Sequence, residues 1–136
     1  MFMLPKKSKA PKSAWYTYKD GVQFEVSLLV PGQQRDINAK TQKIVAGGKD
    51  GFVQEFDTAS ASLMKAQMAI TNCRGLKDPD DADGPDVKMT TANKMMLLNN
   101  EPDFEGWVLS KYADLEESYR LEQEADEKNS SSSANG

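Results

Sequence analysis

Apolar and polar positions first follow a strand period and later a helical one. Val22, Phe24, Val26 and Leu28 alternate with Gln23, Glu25 and Ser27, the period of two that sends successive side chains to opposite faces of a strand. Trp15-Tyr16-Thr17-Tyr18 lies just upstream and is aromatic and β-branched, and Lys19-Asp20-Gly21 joins the two runs. Asp-Gly is a strong hairpin-turn signal. The pattern predicts an antiparallel hairpin with one buried face, extended by Leu29-Val30 and ended at Pro31-Gly32.

Residues 33–57 leave strand or helix open. Ile37, Ile44 and Val45 are the large apolar residues between Arg35 and Val45, so that stretch reads equally as a short helix or a polar edge strand. Gly47-Gly48 and Asp50-Gly51 break the chain, and Phe52-Val53-Gln54-Glu55-Phe56 fits a short strand.

From residue 58 the spacing turns helical. Leu63, Ala66, Ile70 and Cys73, widened by Met64 and Met68, predict a helix over 58–73. Thr58 or Asp57 is its N-cap and Gly75 its stop. Residues 77–89 read as an acidic loop, with two prolines and a glycine among Asp78, Asp80, Asp81, Asp83 and Asp86. Thr90 or Thr91 caps a short helix carrying Met95, Met96, Leu97 and Leu98, closed by Asn99-Asn100 and Glu101-Pro102. Asp103 opens a last helix over about 103–127, where Phe104, Trp107, Val108, Tyr112, Leu115 and Tyr119 step by three and four.

These elements predict an α+β fold: an N-terminal hairpin or small antiparallel sheet packed on two to three C-terminal helices. Residues 1–13 read as a flexible basic arm, with Lys6, Lys7, Lys9 and Lys12 among prolines and small residues. Residues 14–121 form the single domain, and 122–136 an acidic helix end running into a Ser-rich disordered tail.

Composition narrows the function classes. The 136 residues suit one domain. Seventeen basic and 21 acidic side chains give a net charge of −4, against the basic face of a dedicated nucleic-acid binder. Histidine is absent and Cys73 is the one cysteine. That removes the commonest general base, any intrachain disulfide and any thiolate zinc cluster. No apolar run reaches the roughly 20 residues of a membrane helix.

The acidic loop fails as a calcium loop. Counted from Asp78 the glycine falls one place late and Met89 takes the final ligand position. Counted from Pro79 the first ligand is proline and the last is Thr90. No phosphate loop, nucleophile motif or facing carboxylate pair appears, so the expectation is a non-enzyme with no metal and no cofactor. Cys73 reads as a structural thiol on an apolar face. Seven methionines, with Met89, Met95 and Met96 close together, suit an adaptable contact surface. The candidate partner-binding set is Met95, Met96, Leu98 and Trp107.

Three stretches resemble the tail assembly chaperones of long-tailed bacteriophages. They are the hairpin Asp20-Gly21-Val22-Gln23-Phe24-Glu25-Val26; the segment Met68 to Asp78, followed by the acidic loop and Thr91 to Leu98; and the acidic C-terminal helix ending in Lys128-Asn129-Ser130. Members similarly run a helix into a Gly-Leu/Val-x-Asp turn, a variable loop and a capped leucine-rich helix. Cys73 stands where many carry tryptophan. The resemblance implies a non-enzymatic factor that coats and solubilises the tape measure protein and, in a frameshifted longer form, recruits the major tail tube protein. It leaves self-association open and implies no nucleic acid and no membrane. It places the protein in the host bacterial cytoplasm and outside the mature virion. Glu127-Lys128-Asn129 can be encoded GAA-AAA-AAC, which contains the slippery A-AAA-AAC. Two other readings are a head–tail connector or minor tail protein, and a single-stranded nucleic-acid binder using Lys6–Lys12 with Trp15, Tyr16 and Tyr18.

Overall fold

The computed structural model describes residues 2, 12–46 and 51–134. Asp20 and Gly21 both take positive φ, 53° and 75°, the geometry of a tight turn whose twist matches that of the flanking strands. They fold β1 (Ser13–Thr17) back on β2 (Gln23–Ser27), pairing Tyr16 with Phe24 and Ala14 with Val26. The expected hairpin is therefore present, although its second strand stops at Ser27 rather than Val30.

Pro31 starts an element instead of ending one. It is the first residue of α1 (Pro31–Thr41), where the missing N–H costs nothing and the fixed φ is helical. The Gln33 side chain accepts the Val30 N–H at 3.0 Å, securing the entry. Both readings of residues 35–45 contain part of the answer, because α1 passes directly into β3 (Gln42–Ala46), which pairs with β4 (Phe52–Phe56). The Asp57 N–H bonds the Thr41 carbonyl at 2.9 Å and closes the base of this second hairpin. Gly47 to Asp50, expected to break the chain there, lie outside the described residues, as do residues 1 and 3–11 of the expected basic arm and residues 135–136.

Asp57 proves to be the cap of α2 (Thr58–Ala69), accepting the Ser60 N–H at 3.0 Å. The helix ends four residues before the expected 73. Ile70–Arg74 form β5, antiparallel to β2, and the sheet order is β1-β2-β5. Ile70 and Thr71 are β-branched and Asn72 is a weak helix former, and the open edge of β2 supplies the hydrogen bonds. The register slips between Glu25 and Val26, a bulge that lets the Thr71 and Ser27 hydroxyls meet at 2.8 Å.

The remaining helices are α3 (Thr91–Asn100), capped by Thr90 through the Asn93 N–H at 3.2 Å, and α4 (Phe104–Ala134). Helix α4 runs beyond the expected end near 127 and through Ser130–Ser133, since neither glycine nor proline interrupts the chain between Gly106 and Gly136. Its stripe Phe104, Val108, Tyr112 and Leu115 is buried against Phe24 and Val26 of β2, Ala66 and Ala69 of α2, and Ile70 and Cys73 of β5. The result is α+β: helices on one face of a three-stranded antiparallel sheet. The opposite face carries Trp15, covered by the Arg74 guanidinium 3.8 Å above its ring. From Glu116 to Lys128, α4 is exposed.

Candidate partner-binding cleft

The acidic loop is built, not merely solvated. The Val87 N–H donates to the Leu76 carbonyl at 2.8 Å and draws its two ends together. Inside, Asp81 N–H bonds the Asp78 carbonyl and Gly84 N–H the Asp81 carbonyl, both at 3.0 Å. The Lys77 ammonium spans the loop, donating to the Gly84 carbonyl at 2.8 Å and pairing with Asp86 at 2.9 Å. That hydrogen bond holds the Asp86 carboxyl below the ordinary carboxylate range. Below the loop, the Cys73 thiol donates to the Val87 carbonyl at 2.9 Å. From α3, the Asn93 amide donates to the Lys88 carbonyl at 2.8 Å.

Between this loop and α3 opens a cleft of about 790 Å³. Its apolar lining comes from Leu76, Pro79, Pro85, Val87, Met96 and Leu97. Met96 is 65 % exposed, more than any other described large apolar residue from Lys12 onward. The charged lining is Asp78, Asp81 and Asp86 with Lys77 and Lys88. Asp86 is held by Lys77, while Asp78 and Asp81, and Asp80 and Asp83 on the same loop, pair with no cation among the described residues.

The four sequence-predicted contact residues do not share one surface. Met96 and Leu98 lie about 200° apart around a helix, so α3 turns them to different sides. Met96 lines the cleft beside the loop. Leu98 packs against the core and, with Trp107, borders a second cleft of about 720 Å³ over the α3–α4 turn. Trp107 belongs to an aromatic cluster: 4.8 Å from Tyr18, 5.9 Å from Phe24, and stacked on Phe104 at 6.0 Å. Met95 is half-buried on α3 and lines neither cleft. Glu127 and Lys128 are exposed near the end of α4, which also contains Asn129. Sequence reasoning missed Leu76, Val87 and Leu97. Their signal was an apolar residue at each end of the acidic run, beside an α3 with two apolar sides.

The aromatic residues near the start form no stacking row. Tyr16 and Tyr18 pack on the core, and Trp15 faces the other way under Arg74. Lys12 is paired with Glu122 of α4 at 2.8 Å. Among the described residues no group of three or more Cys, Asp or Glu side chains is placed to hold a metal ion. No described helix is long and apolar enough to cross a membrane. No family model, curated protein or solved structure matches the chain.

Proposed function

We propose that the protein is a tail assembly chaperone of the long-tailed-bacteriophage type. In this reading it is a non-enzymatic factor of the host cytoplasm. It binds and solubilises the tape measure protein and, in a frameshifted longer form, helps recruit tail tube subunits. The observation that carries the reading is a coincidence of place. The segments bearing the resemblance, Met68 to Asp78 and Thr91 to Leu98, flank the acidic loop and border the apolar cleft with the exposed Met96. A long apolar protein awaiting assembly aggregates unless its surface is covered. A small acidic domain with an adaptable apolar seat covers it and keeps the complex dispersed. The single-strand-binding alternative draws no support from rings that pack inward or lie under Arg74.

Three measurements test the proposal. Reading the gene from the Glu127 codon past the stop should reveal A-AAA-AAC or A-AAA-AAT, a long open −1 frame and a very large gene downstream. Co-expression with that gene's product should keep the product soluble, and purified virions should lack the chaperone. Codons that cannot slip together with stoichiometric protein in virions would instead make it a head–tail connector or minor tail component.

A further inference from the structure

The cleft between the acidic loop and α3 carries an inference about what it takes. No strand lies among its lining residues, Pro79 and Pro85 carry no N–H, and part of the remaining main chain is already engaged. Val87 N–H is given to Leu76, Asp81 N–H to Asp78 and Gly84 N–H to Asp81, while the Val87 and Lys88 carbonyls accept from Cys73 and Asn93. An extended peptide docks by adding main-chain hydrogen bonds to a free edge, and this wall offers little edge to add to. An occupant must therefore satisfy its own backbone and bind through side chains, as an amphipathic helix does. The floor sets one half of its chemistry: Leu76, Val87, Leu97 and the protruding Met96 call for large apolar anchors. The rim sets the other half. Asp78 and Asp81 line the cleft, Asp80 and Asp83 share their loop, and none of the four pairs with a cation among the described residues; with Asp86 they outnumber the lining Lys77 and Lys88 five to two, so the loop favours Lys or Arg on the partner and disfavours phosphate-bearing polymers and anionic lipid.

We infer that this cleft is a docking seat for an amphipathic helical segment of a partner protein, apolar on one face and flanked by Lys or Arg. The inference rests on the chaperone reading only for who that partner is. On that reading the seat engages basic amphipathic stretches of the tape measure protein. The loop is held by its own hydrogen bonds before any partner arrives, so little ordering accompanies binding.

The test uses the full chain and a fluorescently labelled 20-residue Leu/Lys amphipathic helical peptide, with a Leu/Glu peptide of the same pattern as control. The Leu/Lys peptide should raise anisotropy on binding and the Leu/Glu peptide should not. Replacing Asp80, Asp81 and Asp83 together by Asn should weaken binding about tenfold and flatten its salt dependence. Met96→Glu is the sharper variant. It adds a negative charge, so pure electrostatic attraction would tighten binding, whereas loss of an apolar anchor should weaken it about tenfold. Amide shifts on binding should fall on residues 76–88 and α3. Equal binding of the two peptides, tighter binding by Met96→Glu, or shifts confined to the Trp15–Arg74 face would each overturn the inference. Failure of the peptide while the tape measure protein is still solubilised removes the seat and leaves the chaperone reading standing. A seated peptide without any solubilisation does the reverse.

Discussion

The Tyr112 hydroxyl on α4 accepts the Leu29 backbone N–H at 3.0 Å. This contact ties the longest helix to the chain just where β2 gives way to α1. Tyr112 is 5 % exposed, and the Lys65 ammonium of α2 sits 4.3 Å above its ring. One side chain thus joins three elements. Tyr112→Phe keeps the ring and its cation contact but leaves the Leu29 N–H without its acceptor, which costs about 1–3 kcal/mol. Urea denaturation should show a lower midpoint with an unchanged slope. An unchanged midpoint would mean that water satisfies the Leu29 N–H.

Met96 and Trp107 should separate cleanly, although sequence pattern places them in one candidate surface. Trp107 is wedged among Tyr18, Phe24 and Phe104, so Trp107→Ala should cost about 3 kcal/mol through lost packing. Met96 is mostly in water, and Met96→Glu should stay within about 0.5 kcal/mol of the parent. Thermal unfolding of the two variants decides the matter. Comparable losses in both would place Met96 in the core and empty the cleft of its functional meaning.

What the sequence disclosed depended on whether neighbours along the chain or across the fold decide a residue's state. Asp20-Gly21 and the alternation from Val22 to Leu28 are local instructions, and the hairpin formed on them. The three-and-four spacing of Phe104, Val108, Tyr112 and Leu115 is equally local, and all four are buried. Ile70 to Arg74 are different. Ile70 and Cys73 continue the spacing of Leu63 and Ala66, so they read as helix, yet they are buried from a strand whose existence depends on β2 lying alongside. Gly75 marked a real boundary, but of that strand. At the cleft, the acidic run was plain in the sequence. Its ordering was not, because the bonds from Val87 to Leu76 and from Cys73 to Val87 join residues far apart in the sequence.

Gly75 has φ of 81°, and a Cβ built there would lie 3.8 Å from its nearest neighbours, the Gly21 carbonyl oxygen and Val22 Cα. There is room for a methyl group, so the cost of Gly75→Ala is conformational rather than steric, about 1–2 kcal/mol for a left-handed L-residue. Asn tolerates that region better, so Gly75→Asn should recover part of the loss. Equal losses in both variants would point to packing at the β1–β2 turn instead.

Acid should loosen the joint between the first turn and the end of α3. Lys19 donates to Glu101 at 3.0 Å and Tyr18 to the same oxygen at 3.2 Å. The Lys19 hydrogen bond holds the Glu101 carboxyl below its ordinary range, and the same bond pushes the Lys19 ammonium up. The depressed carboxyl contributes stability that is fully present above its unfolded value, about pH 4.3, and is lost as pH falls through the lower folded value. The raised ammonium contributes stability below its unfolded value, lost as pH rises through the folded one. Both groups face solvent, so salt weakens the effect. Glu101→Gln should flatten the acid limb of the stability–pH curve relative to the parent. Superimposable acid limbs would show that the pair adds nothing.

Cys73 offers a direct report on the loop. It is 6 % exposed on β5, and its thiol donates to the Val87 carbonyl, one residue's atoms away from the N–H that closes the loop onto Leu76. Burial, with the Asp86 charge nearby adding to it, pushes the thiol pKa up, so the reactive thiolate is scarce near neutral pH. A disulfide reagent should therefore label the native chain far more slowly than the chain in urea, and labelling should accelerate only at more alkaline pH than for a free cysteine. The remaining native rate measures how often Val87 lifts away. A Leu/Lys peptide seated against Val87 and Leu76 holds the loop down, so it should slow that rate further. The Leu/Glu peptide should not. Fast native labelling at neutral pH would show that the loop is open in solution and that the cleft has no fixed wall for a helix to rest against.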